Sequence, residues 1–88
     1  MNANAKQIDI VVAEKNPLLQ QSLVRLFENE DRFRLVAVCA DGERFLEAVE
    51  RLNFDIGIIG WEMPFLDGKG VLSALKGKES TPRVIVYT

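Results

Sequence analysis

Eighty-eight residues, 48% of them hydrophobic and 27% charged with a net charge of −2, describe one small soluble domain that buries only about 60–65% of its unfolded surface. The near-balance of charge argues against non-specific nucleic-acid binding, no segment approaches the roughly 20 apolar residues of a membrane span, and MNANAKQIDI lacks the basic flank, apolar stretch and cleavage site of a signal peptide. A single Cys39 and no histidine exclude an internal disulfide, a Cys/His zinc set and every Ser-His or Cys-His nucleophile pair, so the expectation is a cytoplasmic, non-metallic domain.

The first predicted element is the β-branched run IDIVVA, residues 8–13. Asn16 then suits an N-cap and Pro17 a first helical turn, opening a helix with Leu19, Leu23 and Leu26 on one stripe and Leu18 and Phe27 beside them. FRLVAVC, residues 33–39, is the second strand. Asp41-Gly42 opens a second helix whose Phe45, Val49 and Leu52 face one way, with Glu47 and Arg51 spaced for a pair worth a few tenths of a kcal/mol. DIGII, residues 55–59, is the third strand. Asp67-Gly68 starts a shorter helix with Val71, Leu72 and Leu75, which runs out at Gly77, and VIVY, residues 84–87, is the fourth strand. Runs that are apolar on consecutive positions suit strands buried on both faces. The order β-α-β-α-β-α-β implies right-handed crossovers and an α/β, flavodoxin-like parallel sheet with helices on both faces.

In open sheets of this kind sites form at the carboxyl ends of the strands. Those ends read Ala13-Glu14-Lys15-Asn16, Cys39-Ala40-Asp41, Gly60-Trp61-Glu62 and Tyr87-Thr88. Glu14, Lys15 and Glu62 read as a solvated rim, Asp41 and Asp67 as helix caps, Thr88 as a strand-end β-former and Cys39 as a small core residue. Trp61 is either a cover over the sheet or an anchor for a partner. No glycine-rich phosphate loop follows the first strand.

The residues at these ends resemble the receiver domains (CheY-like) of two-component response regulators, above all those preceding LuxR/NarL-type DNA-binding domains. IDIVVAEKNPLL resembles the first strand, its acidic loop and the entry to helix one. VAVCADGERFLEAVERLNFDIGIIGWEMPFLDG resembles the block from strand two to the loop after strand three, and TPRVIVYT the fourth strand with its terminal Thr. The resemblance implies a phosphoacceptor Asp four residues before the Pro of Met63-Pro64, and that position is Gly60. It also implies an acidic pair that binds Mg²⁺, and the pair here is Glu14 and Lys15. An ammonium group beside the site repels the ion, so the Mg²⁺ site is expected to be lost and no cofactor is expected. Lys15 is expected to pair with Glu14 or Glu62, and Thr88 holds the place of the switch Thr.

A whole receiver has five β/α units and a Lys after strand five, whereas the given sequence stops at the end of strand four. The expectation is therefore a single, partial receiver domain over 1–88, truncated after the fourth strand, with no output domain, so that DNA binding belongs to a part absent from this chain. Val84, Ile85, Val86 and Tyr87 would form an apolar edge open to a second chain, and a homodimer through that strand and the adjacent face, strand exchange included, follows as an expectation. Three functions compete: a degenerate, phosphorylation-independent regulatory and dimerisation module; a small-ligand site in the emptied pocket, with an anion on Lys15 and nearby backbone N–H groups; and a residual enzyme or phosphorelay component using Glu62 or Asp67, which neither residue's position favours.

Overall fold

β1 (Ile8–Ala13) lies at the centre of the molecule because its apolar side chains find partners on both sides: Ile10, Val11, Val12 and Ala13 are all buried. The computed structural model describes residues 6–88, so the reading of the opening residues as free of a signal peptide lies largely outside it. After β1 come α1 (Pro17–Glu28), β2 (Phe33–Cys39), α2 (Gly42–Arg51), β3 (Ile56–Gly60), α3 (Gly68–Leu75) and β4 (Arg83–Tyr87). Every strand pairing is parallel and the sheet order is β2-β1-β3-β4. No helix among the described residues is long and apolar enough to cross a membrane.

Alternation along the strands divides the sheet into two faces. Val11 pairs with Gly57 and Gly57 with Val84; Ala13 pairs with Ile59 and Ile59 with Val86. These positions face α2 and α3, where Val11, Ala13, Ile59, Phe45, Ala48, Val71 and Leu75 form the core. Gly57 makes that packing possible, because a Cβ there would sit 2.3 Å from Cζ of Phe45. Phe45 also meets Phe54 edge to face at 5.9 Å. The second helix therefore seats Phe45 and Ala48, with Val49 packed partly against the core as expected, but not Leu52. Leu52 is the extended C-cap and stays 40% exposed. Glu47 reaches Arg44 at 3.9 Å rather than Arg51, an exposed pair worth little.

Ile10, Val12, Ile56, Ile58 and Ile85 point to the opposite face, where α1 lies against β1 and β2. Asn16 caps α1 by accepting from the N–H groups of Leu18 and Leu19, as its side-chain chemistry predicts. The apolar stripe behaves differently from its expectation: no residue of α1 is buried, and Leu18 and Leu26 are 73% and 63% exposed. Leu23, Val24 and Phe27 make the partial contact with the sheet, Phe27 against Phe33 at 5.5 Å. Among the described residues no helix covers the β3–β4 half of this face, and Ile85 is 53% exposed there.

Candidate functional site

Parallel register brings the site together. Ala13 partners Ile59 and Gly60 partners Tyr87, so Glu14, Gly60 and Tyr87 meet at one end of the sheet. A cavity of about 300 Å³ opens there. All five rim residues singled out from the sequence (Glu14, Lys15, Gly60, Glu62 and Thr88) line it. Leu19, Trp61 and Tyr87 complete the wall.

Glu14 departs from its expected solvated turn. It is only 5% exposed, and one carboxylate oxygen accepts from Asn16 N at 2.7 Å while the other accepts from the Tyr87 hydroxyl. Its backbone is held as firmly: Glu14 N donates to Cys39 O at 3.0 Å, and the Gln20 side-chain amide donates to the carbonyls of Glu14 and Cys39. A buried carboxylate needs such donors, since each missing one would cost about 1–3 kcal/mol. Tyr87 supplies the other half of the arrangement. Burial pushes its phenol above the usual tyrosine range, and the bond to Glu14 and that group's charge push it further the same way.

Gly60 lies beneath this contact. A Cβ on it would stand 3.1 Å from Glu14 Oε1 and 3.7 Å from the Tyr87 hydroxyl, so the glycine leaves room for the pair above it. Trp61 ties the next turn: its N–H donates to Tyr87 O at 2.9 Å, and its carbonyl accepts from Gly68 N at 2.7 Å. The residue is 37% exposed and lines the cavity, which makes it part cover and part open surface. Lys15 meets Glu62 at 3.4 Å, and both side chains are well exposed. Of the two expected partners it takes Glu62, in a pair of the kind worth about 0–1 kcal/mol.

The remaining acids serve the backbone. Asp41 accepts from Arg44 N and Asp67 from Gly70 N, each at 2.8 Å. Both are the N-caps expected from their sequence positions. Cys39 is buried and its thiol is pushed up by burial, then by the charges of Asp41 and Glu47, which makes it unreactive. Among the described residues no three His, Cys, Asp or Glu side chains gather as a metal ion would require. The sequence reading missed Leu19 and Tyr87 as wall residues. The signal for Tyr87 was available, since it ends its strand opposite Gly60.

The family model of the response regulator receiver domain matches residues 10–88. This chain belongs to that family. The receiver domain is 30% identical over 84 residues to the probable transcriptional regulatory protein SgaR of Hyphomicrobium methylovorum, covering 96% of this chain and 40% of SgaR. It is 31% identical over 81 residues to a protein-glutamate methylesterase/protein-glutamine glutaminase of Symbiobacterium thermophilum, covering 92% of this chain and 22% of that protein. Among solved structures, the signal receiver domain of the response regulator NarL from Mycobacterium tuberculosis superposes with a TM-score of 0.86 at 26% identity, over 92% of this chain and 65% of that one. The receiver domain thus spans about two fifths of the first curated relative and about a fifth of the second. Its flavodoxin-like, four-stranded parallel sheet is the fold these comparisons share.

Proposed function

We propose that this receiver domain is a degenerate one, a cytoplasmic regulatory and dimerisation module of a two-component transcriptional regulator that works without phosphorylation and is not an enzyme. The observation that carries the reading is Gly60. The position that the resemblance gives to the phosphoacceptor has no side chain, and an acyl phosphate needs a carboxylate there. The nearest carboxylate, Glu14, is buried and engaged by Tyr87 and Asn16. Nor do these residues suit Mg²⁺, which takes several oxygen ligands in near-octahedral array; Glu14 offers one saturated carboxylate, and Lys15 and Glu62 are bound to each other. Glu62 and Asp67 fit poorly as substitute acceptors, the first being paired with Lys15 and the second capping α3. Intact mass after incubation with acetyl phosphate and Mg²⁺ tests the reading: an unchanged mass is expected, and a phosphoryl adduct on the folded chain would overturn it.

The partner in this proposal is a second copy of the chain, meeting it through β4 and the adjacent face. Support comes from the outer edge of β4, which has no strand beside it among the described residues, and from Ile85, exposed on the half of the sheet face that α1 leaves uncovered. Val84 and Val86 pack toward the core and Tyr87 toward Glu14, so they would contribute backbone pairing rather than side chains. DNA binding would belong to an output domain outside this sequence. Sedimentation equilibrium over a wide concentration range checks the partner: a dimer upholds it, and a monomer throughout removes it.

A second reading is favoured by the cavity itself. Its volume of about 300 Å³ lies at the lower end of ligand pockets, and a small molecule bound there would act as the signal by favouring one packing of the β4 face.

A further inference from the structure

The outer edge of β2 is a surface separate from both the strand-end site and β4, since the sheet order puts β2 and β4 at opposite margins. Cys39 O accepts from Glu14 N, so the amide groups of Cys39 face β1. Successive residues of a strand bond on alternate sides. The N–H and C=O of Val38 therefore face outward, and no strand stands beside them among the described residues. Bulges and charges are what blunt an exposed edge. Both lie in the first part of β2, where Arg34 is held by Asp9 and Val36 is left out of the pairing between Leu35 and Ala37. From Val36 to Cys39 the strand reads VAVC, without a charge, and Val38 is 41% exposed.

A cleft of about 440 Å³ opens between this uncharged part of β2 and α2. Cys39, Ala48 and Leu52 supply its apolar lining, and Arg44, Glu47 and Arg51 its charges. Arg44, Glu47, Ala48 and Arg51 share one stripe of α2 by their helical spacing. Glu47 reaches only Arg44, at 3.9 Å, in an exposed pair of little worth. Arg51 meets no acid among the described residues. The cleft thus carries an excess of positive charge on a chain whose net charge is −2.

We propose that the edge at Val38 receives an acidic, extended segment of a partner protein as an added strand beside β2. Such a segment takes its affinity from main-chain hydrogen bonds and its specificity from alternate side chains. Val38 pairs with Val12 and so points to the α1 face of the sheet. Every second residue of the added strand meets Val38 on that face, which suits an apolar one. The residues between point toward α2, where Arg44 and Arg51 suit an acid. A second copy of this chain fits less well, because its own edge brings the same excess of arginine.

The probe is a capped peptide of four Glu-Val repeats, titrated into the isotope-labelled chain at low salt while the amide signals of β2 are followed by nuclear magnetic resonance. A saturable shift is expected, with a dissociation constant of about 1 mM or tighter. A Lys-Val peptide of the same length should bind at least about tenfold more weakly, and full backbone N-methylation of the Glu-Val peptide should abolish its shift. Val38→Pro removes the outward N–H at an edge, where proline is tolerated, and is expected to weaken binding about tenfold. Arg51→Glu, at an exposed position, is expected to weaken the acidic peptide about threefold and to strengthen the basic one. Should Val38→Pro fail to fold, Arg51→Glu and the N-methylated peptide serve in its place. Equal binding of the two peptides overturns the proposal, as does binding indifferent to N-methylation or the absence of any saturable shift. A dimer in sedimentation that Val38→Pro dissociates and Ile85→Lys leaves intact would give the edge to a second copy, and overturns it as well.

Discussion

The Tyr87 hydroxyl donates to the buried carboxylate of Glu14 across 73 residues of sequence, directly above the bare Cα of Gly60. One hydrogen bond therefore joins the ends of β1 and β4 over the end of β3. Tyr87→Phe keeps the ring and removes the donor, leaving one oxygen of a buried carboxylate short of a partner. A loss of about 1–3 kcal/mol in urea unfolding is expected. A variant as stable as the parent would show that Glu14 finds another donor.

The same contact sets a pH dependence. The folded phenol holds its proton above the usual tyrosine range, through burial first and Glu14 second, while the unfolded chain releases it at about pH 10. Stability from Tyr87 is therefore complete below about pH 10 and falls as pH rises toward the folded value, because there the unfolded state binds fewer protons. The slope from this one group is at most about 1.4 kcal/mol per pH unit. Unfolding free energies of the parent and Tyr87→Phe should draw together above pH 10, and parallel curves would contradict the assignment. Tyr87 is the only tyrosine, so phenolate absorbance follows the same event directly.

Placing an acid at the third strand end should harm the domain. Gly60→Asp places a Cβ 3.1 Å from Glu14 Oε1 and a second carboxylate beside one already buried, and like charges so close cannot both ionise freely. Destabilisation of about 1–3 kcal/mol is expected from crowding alone, read from the denaturant midpoint at neutral pH. A variant of unchanged stability would mean that the space over Gly60 is freer than the Tyr87–Glu14 contact makes it.

How far the fold and the site were legible follows from what each residue's signal depends on. Caps are local: Asn16, Asp41 and Asp67 each act on an N–H within three residues, so their side chains alone disclosed them. The parallel sheet followed from alternation of elements and the handedness of crossovers, whereas its order, β2-β1-β3-β4, came from the structure. The burial of Glu14 was not legible, because a charged residue after a strand reads as solvated unless the donor 73 residues away is known. Tyr87 was legible as a strand end and as part of an apolar edge, but its bond to Glu14 was hidden by the same distance. The α1 stripe misled for another reason: periodicity marks a face that suits burial, and what covers that face is a tertiary matter. Gly57 was equally silent, since its value lies in the ring of Phe45 above it.

Phe65 carries a cost in the loop after β3. It is 81% exposed and has φ of 67°, a left-handed conformation that strains a bulky side chain. Phe65→Gly removes the strain and loses almost no packing, against the greater freedom of glycine in the unfolded chain. A net gain of about 0.5–1 kcal/mol is expected in thermal or urea unfolding. A loss instead would mean that the exposed ring makes a stabilising contact in solution.

The shallow seat of α1 gives the domain two lifetimes rather than one. Of the three helices among the described residues it alone has no buried residue, and a segment of 12 residues is marginal as an isolated helix. Its amides should exchange with solvent through excursions confined to that helix, while those of Val11, Val12 and Ile59 wait for the whole molecule to open. Native-state hydrogen exchange with increasing denaturant resolves the two: a nearly flat dependence in α1 and a steep one in the central strands. A ligand or a second copy that covers α1 would then be visible as the merging of the fast clock into the slow one.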